Sequence, residues 1–170
     1  VIEITALEQA GTDAIEALLD RAFGSDRHSR TAYRLRAGTA AIPALSLAAH
    51  DGGVLIGTIQ CWPVTFTADD GRAVPLTLLG PVAVEPARQR DGVGRLLMSA
   101  CLDAAARAGL DGAIMLIGDP EYYGRFFGFS AERTAGWRLP GPVERHRLLA
   151  RGERVPAADG TIGPRIAVSA

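Results

Sequence analysis

Cysteine is scarce in this chain, charge of neither sign is in excess, and no apolar run is long. There are 2 cysteines among 170 residues, Cys61 and Cys101. They stand too far apart in sequence for a short metal-ligand pair, and two thiols cannot build a disulfide framework. Buried reduced thiols and a cytoplasmic setting are therefore the expectation, with Cys101 on the apolar face of a helix, and no metal is expected. With 18 basic and 19 acidic side chains the formal net charge is −1. No global field then draws the chain to nucleic acid or to an anionic membrane, and neither is expected as a partner. The most apolar runs, LTLLGPVAV and GAIMLIG, fall short of the roughly 18 residues of a membrane span and read as buried strands. VIEITALEQAG has neither a basic leader nor a long apolar core, so no secretion signal is expected in it. The sequence also lacks GxGxxG and any glycine loop closing on Gly-Lys-Ser or Gly-Lys-Thr, which removes the standard nucleotide cradles.

What is present is an alternation of strand and helix signals over a length that suits one domain, residues 1–170, with 151–170 as a turn-rich C-terminal extension. Residues 1–5 read as an opening strand. Thr12 or Asp13 is placed to cap the helix AIEALLDRAF, whose Ile15, Leu18, Leu19 and Ala22 make an apolar face ending at Gly24. SDRHSRTAYRLR holds a second short helix and the basic residues Arg30, Arg34 and Arg36. ALSLAAHDGGVLIGTIQCWPVTF reads as two strands around a turn at Asp51, Gly52 and Gly53. ADDGRA supplies another turn and VPLTLLGPVAV a third strand, which together suggest an antiparallel meander. From Val93 the period becomes helical, with Val93, Leu97, Cys101, Ala104 and Ala108 on one face and Gly109 as a C-cap. GAIMLIG reads as a central strand covered on both faces, GDPEYYGRFFGF as a short aromatic helix, and a final strand is expected around Leu148 and Leu149. ERVPAADGTIGPR reads only as turns. Trp62 and Trp137 either line a pocket or anchor the sheet.

Chemistry concentrates in EPARQRDGVGRLL, residues 85–97. A strand that passes through a glycine turn into a helix leaves the first helical amides without internal acceptors, and the helix field there favours negative charge. Glycines at 92 and 94 keep side chains out of a ligand's approach and permit unusual backbone angles. On these residues alone the stretch is either a structural turn or an anion cradle. The order PVAVEPARQRDGVGRLLM followed by GAIMLIGDPEYYGRFFGF resembles the GCN5-related N-acetyltransferase (GNAT) superfamily, and within it a small YhbS-like bacterial branch. Gln89, Gly92 and Gly94 match the family's Gln/Arg-x-x-Gly-x-Gly/Ala motif, and the element order extends the likeness over most of the chain.

The resemblance implies an α/β fold with a mixed, twisted central sheet flanked by helices, its central strands splayed to admit the pantetheine arm of acetyl-CoA. It implies that the backbone of Val82, Ala83 and Val84 engages that arm, and that Gln89, Arg90, Asp91, Gly92, Val93, Gly94 and Arg95 surround the pyrophosphate. Arg88, Arg90 and Arg95 either add long-range attraction or form ordinary solvated surface. The implied activity is transfer of an acetyl group from acetyl-CoA to an amine in a ternary complex, with coenzyme A as product. The acceptor is a small-molecule or protein amine, and a homodimer is expected by analogy. A catalytically silent CoA-binding sensor or interaction protein, and an O-acyltransferase, stand as alternatives.

Such a transfer requires an unprotonated amine, stabilisation of the developing oxyanion and a proton for the departing thiolate. The resemblance gives the last role to a tyrosine of the aromatic helix, Tyr123 first and Tyr122 second. The segment RFFGF carries one phenylalanine more than the related pattern, which leaves the choice between the two phenols open, and both also suit packing beside Phe126, Phe127 and Phe129. Gly128 reads as a backbone-fit position. A general base is harder to name. Glu85, Glu121, Asp119 and His28 are the candidates, with a water relay as the alternative and a capping role favoured for Asp119. His50 belongs to a turn, and His146 sits between Arg145 and Arg147.

Overall fold

The computed structural model describes residues 1–166. Its elements, in chain order, are β1 (Ile2–Ala6), α1 (Thr12–Phe23), α2 (Thr31–Leu35), β2 (Leu47–Asp51), β3 (Val54–Ala68), β4 (Ala73–Val84), α3 (Val93–Arg107), β5 (Ile114–Ile117), α4 (Pro120–Phe127), β6 (Trp137–Arg138), β7 (Leu148–Arg151) and β8 (Gly160–Pro164). The strands run β1-β2-β3-β4-β5-β7 across the sheet, with β8 joined to β3 and β6. β1 with β2, β2 with β3, β3 with β8 and β5 with β7 are antiparallel, whereas β4 with β5 and β6 with β8 are parallel. This is the expected mixed sheet flanked by helices. The chain forms two compact units, one of Val1–His28, Ala41–Cys61 and Gly80–Gly109, the other of Ser29–Ala40, Trp62–Leu79 and the residues from Leu110 onward.

In the first unit, α1 owes its position to the apolar face read from the sequence. Ile15, Leu18 and Leu19 are buried in one cluster with Ala10, Ala48 and Ala83. The cap differs from expectation: Gly11 holds the N-cap position and no side chain caps the helix, so Thr12 and Asp13 lie inside its first turn. Gly24, at a φ of 93°, closes the other end, its N–H donating to the Asp20 carbonyl at 2.9 Å. Just beyond it Arg27, 2 % exposed, is held by Glu16 and Asp20, which lie one helical turn apart on α1.

α3 buries Val93, Leu97, Met98, Cys101, Ala104 and Ala105. Ala108, expected on the same face, is exposed because the helix ends at Arg107, with Gly109 at a φ of 73° beyond the cap. Gly57 lets α3 sit close to β3. A Cβ there would lie 2.8 Å from Val93 Cγ1 and 3.0 Å from Leu97 Cδ1, so any side chain would push the start of α3 away. The two cysteines, distant in sequence, meet here with their sulfurs 3.4 Å apart and both buried. The expectation of buried thiols holds, and the fold brings together two residues that stand far apart in sequence. Burial and the neighbouring Cys101 sulfur push the Cys61 thiol well above its ordinary pKa, the contact with Cys101 being the larger cause.

In the second unit, β4 meets β5 at Thr77–Ile114 and Leu78–Met115, and the ladder stops there. β5 continues to Ile117, paired with β7 as far as Leu148. β7 is not the final strand. Within the extension expected to hold only turns, Gly160–Pro164 pairs with residues 64–68 of β3, and Ile162 is 1 % exposed. The glycines and prolines of this region hid a short strand that a central neighbour recruits. Residues 167–170 of that extension lie outside the described residues. Trp137 is fully buried, tilts against Phe66 at 5.6 Å and donates its indole N–H to the Pro156 carbonyl at 3.1 Å. It anchors the sheet.

Candidate functional site

The strand-to-helix turn belongs to the first unit. Where β4 ends, Glu85 donates its N–H to the Ile56 carbonyl at 2.8 Å, which fixes the chain as it leaves the sheet. Arg88 N–H then donates to Glu85 C=O at 2.7 Å and Asp91 N–H to Arg88 C=O at 3.1 Å, so two successive tight turns carry the chain round. Gly92 completes the reversal at φ 77° and ψ 15°, the left-handed region that a side chain resists. The first helical bond runs from Leu96 N–H to Gly92 C=O at 3.1 Å, which leaves the amides of Val93 and Gly94 ahead of the ladder with no carbonyl of the helix to receive them. The buried Val93 side chain seats this first turn against β3, while Gln89, Arg90, Asp91, Gly92 and Arg95 are exposed and Gly94 half-buried. These are the conditions for an anion cradle: donors held in place, an unobstructed approach and a favourable helix field.

Upstream, Val82 and Val84 are half-buried and Ala83 is fully buried among the α1 contacts. Charge around the turn is organised. Arg88 binds Asp91 through Nε and Asp51 through Nη2, the latter at 2.9 Å. Asp51 titrates below its usual range, the Arg88 hydrogen bond being the largest cause. Arg88 is thus a half-exposed bridge between the turn and the end of β2. Glu85, considered as a base, is occupied by Arg21, whose Nε and Nη2 both donate to the carboxylate, at 3.0 and 2.8 Å to Oε2.

The aromatic helix belongs to the second unit. Asp119 caps α4, its side chain accepting from Glu121 N–H at 3.0 Å, and Pro120 opens the helix. The capping role expected of Asp119 is therefore the observed one. Gly128, at φ 74°, ends the helix and turns the chain so that Phe129 N–H donates to Tyr123 C=O at 3.2 Å. Tyr123 is fixed by three neighbours. Its ring stands edge-on to Tyr122 at 4.9 Å and to Phe129 at 6.4 Å. It also lies over Gly118, where a Cβ would come within 2.5 Å of Cε2. Tyr122 sits instead in an outer cluster with Phe126 and Phe127. Phe126 is 42 % exposed, so the extra phenylalanine of RFFGF is carried at the helix surface. Burial, then the Tyr122 and Asp119 charges, push the Tyr123 phenol up to about 12, against an opposing effect of Arg147. Tyr123 keeps its proton throughout the neutral range.

The other candidates separate. The basic face of α2 is engaged: Arg36 lies over the rings of Tyr33 and Trp62, at 3.7 and 4.3 Å from their centroids, and Arg34 donates to the Pro140 carbonyl at 3.0 Å. His28 and His146 are exposed, the latter 3.6 Å from Glu144. Among the described residues no group of three or more His, Cys, Asp or Glu could hold a metal, and no helix is long and apolar enough to cross a membrane. Sequence reasoning missed Gly57 and Gly118. Their signal was present, since a glycine inside or ending an apolar strand marks a close approach, but the approaching group lies far away in sequence.

A mixed sheet with a ladder that stops part-way, and a glycine turn opening a helix after β4, define an acyltransferase type of fold. The sequence profile of the Acetyltransferase (GNAT) family matches residues 12–129, and the chain belongs to that family. It is similar to the GNAT family N-acetyltransferase YhbS of Escherichia coli, whose crystal structure is in complex with CoA: the TM-score is 0.72 and the identity 26 %, over 97 % of this chain and 89 % of that one. A GNAT family acetyltransferase of Brucella melitensis in complex with acetyl-CoA gives a TM-score of 0.57 and 29 % identity over 88 % of this chain and 95 % of that one. An uncharacterized N-acetyltransferase of Streptomyces avermitilis is 29 % identical over 101 residues, 59 % of this chain. The chain spans only 24 % of the length of that curated relative.

Proposed function

We propose that this chain is an acetyl-CoA-dependent N-acetyltransferase of the YhbS-like bacterial branch, moving an acetyl group to an amine by direct transfer in a ternary complex. The observation that carries the reading is the turn at Gln89–Gly94, where Gly92 in the left-handed region presents the Val93 and Gly94 amides ahead of the first α3 hydrogen bond. In this reading those amides, with Gln89, Arg90 and Arg95 around them and only the backbone of Asp91 in the turn, hold the pyrophosphate, and the backbone of Val82–Val84 holds the pantetheine arm. The fit rests on the donor set: backbone N–H groups at a helix start suit phosphate oxygens. Complexes of the Escherichia coli and Brucella melitensis proteins with CoA and acetyl-CoA support it.

Bound acetyl-CoA supplies a thioester already activated towards an amine. The part left to Tyr123 is to keep a proton at Oη and offer it to the sulfur. With its pKa at about 12 it is a weaker acid than a thiol, whose ordinary value is about 8.5. It therefore works as a hydrogen-bond donor to developing negative charge, without having to give the proton up completely. The acceptor amine reacts in its neutral form, so the rate rises with pH until that amine is deprotonated. The reading includes a small-molecule or protein amine as acceptor, a homodimer and a cytoplasmic setting. A panel of amines assayed with acetyl-CoA for release of free CoA thiol tests the reading. Amine-dependent release with a matching acetylated product supports it, whereas binding of acetyl-CoA with no turnover on any amine or alcohol favours a silent CoA-binding protein.

A further inference from the structure

The pyrophosphate turn contains a charge of the wrong sign. Asp91 immediately precedes Gly92, is exposed, and would repel the anionic ligand that the turn's amides favour. The same turn supplies its partner. Arg88, three residues earlier, binds Asp91 with Nε and, with Nη2, reaches Asp51 at the end of β2 at 2.9 Å. Backbone bonds lock the geometry, because Asp91 N–H donates to the Arg88 carbonyl at 3.1 Å and Arg88 N–H to the Glu85 carbonyl at 2.7 Å. A guanidinium is a planar fork that can serve two carboxylates at once, which an ammonium does less well. Asp51 belongs to the hairpin between β2 and β3, so the fork ties the turn to a rigid element of the same unit.

We propose that Arg88 is a positioning residue for the cofactor turn: it engages and neutralises Asp91 and fixes the turn to Asp51, so that the α3 amides meet a pyrophosphate without an opposing carboxylate. The inference rests on the reading of this turn as a CoA site. It assigns to Arg88 no contact with the ligand. Its effect passes through Asp91, which separates it from Arg90 and Arg95, whose charges face the ligand directly in this reading. Lowering of the Asp51 titration by Arg88 agrees with the bridge.

The coupling between Arg88 and Asp91 is therefore the measurable quantity. Binding of CoA and of pantetheine, which has no pyrophosphate, is measured by titration calorimetry at low and high salt. The proteins are the wild type, Arg88→Gln, Asp91→Asn and the double variant, with Arg88→Lys in place of Arg88→Gln should the latter melt abnormally. Arg88→Gln is expected to weaken CoA about fivefold to tenfold at low salt and leave pantetheine unchanged, and Asp91→Asn in the Arg88→Gln background is expected to restore the larger part of the CoA affinity, leaving only the loss of the tie to Asp51. An Arg88→Gln loss of the same size whether residue 91 is Asp or Asn would overturn the proposal, since Arg88 would then be one more distant charge. An equal loss for pantetheine would overturn it as well, by showing general damage to the fold. CoA binding by the wild type that Arg88→Gln does not change removes this inference alone, whereas a folded wild type that binds no CoA removes the reading of the site itself.

Discussion

Gly118 decides where Tyr123 can lie. A side chain at 118 would occupy the space of the tyrosine ring, so the phenol rests on the end of β5 only because that residue has no Cβ. The aromatic helix and the pair of tyrosines were legible in GDPEYYGRFFGF, and so was the Asp119 cap. The resemblance put Tyr123 before Tyr122, but the different packing of the two rings was not legible, because it depends on which ring finds a bare stretch of backbone. Tyr122 faces Phe126 and Phe127, and Tyr123 faces Gly118 and Phe129. The consequence is an asymmetry in kinetics. Tyr123→Phe is expected to lower kcat by about tenfold to a hundredfold with little change in KM for acetyl-CoA, whereas Tyr122→Phe stays within a few-fold of wild type. Steady-state assay of both variants checks this, and equal losses would contradict it. Because the Tyr123 phenol titrates at about 12, no loss of rate from its ionisation is expected between pH 7 and 10.

At the scale of elements, the turn from β4 to α3 was legible because its signals are local: glycine for the left-handed angle, and a helical period that starts directly after it. What holds the turn was not legible. Gly57, Asp51 and Arg21 come from β3, β2 and α1, and their contacts with Val93, Arg88 and Glu85 exist only once the strands are side by side. Ion pairs of this exposure contribute little to stability, and their effect shows best as a pH dependence. Asp51 has its folded pKa lowered from an ordinary value of 3.8, chiefly by Arg88. A lowered carboxylate contributes stability above its unfolded pKa and loses that contribution as pH falls through the folded value. Wild type is therefore expected to be slightly more stable than Asp51→Asn at pH 7, with the difference closing as pH falls below 4. Denaturant melts of both proteins from pH 7 to 3 check the sign, and a gap that widens in acid would contradict the assignment.

For the molecule as a whole, the order of strands and helices could be read through α4 and again at Leu148 and Leu149 of β7, because each of these elements carries a pattern of its own. Beyond α4 the sequence turns irregular, and the reading missed β8 for a physical reason. A strand of composition GTIGP has almost no intrinsic preference for that state and is stabilised by its neighbours, Phe66 and the rest of the β3 segment. The segment is structural. Ile162→Ala is expected to cost about 2–4 kcal/mol in denaturant unfolding, as for other buried large-to-small changes, and a cost near zero would show that the burial of this side chain contributes nothing. Family membership also rests on this scale, since the match spans residues 12–129, from the first residue of α1 past the cap of α4, and leaves β1 and β6–β8 outside.

The most direct test of the site is calorimetric titration of the folded chain with acetyl-CoA, CoA, ATP and NAD, repeated with Gly92→Val. A β-branched residue cannot comfortably take the φ of 77° that Gly92 adopts. Binding of acetyl-CoA and CoA in preference to ATP and NAD, abolished or strongly weakened in a variant whose circular dichroism is unchanged, is the expected result. A folded wild-type protein that binds neither acetyl-CoA nor CoA would contradict it, and would leave the turn at Gly92 as no more than the cap of α3.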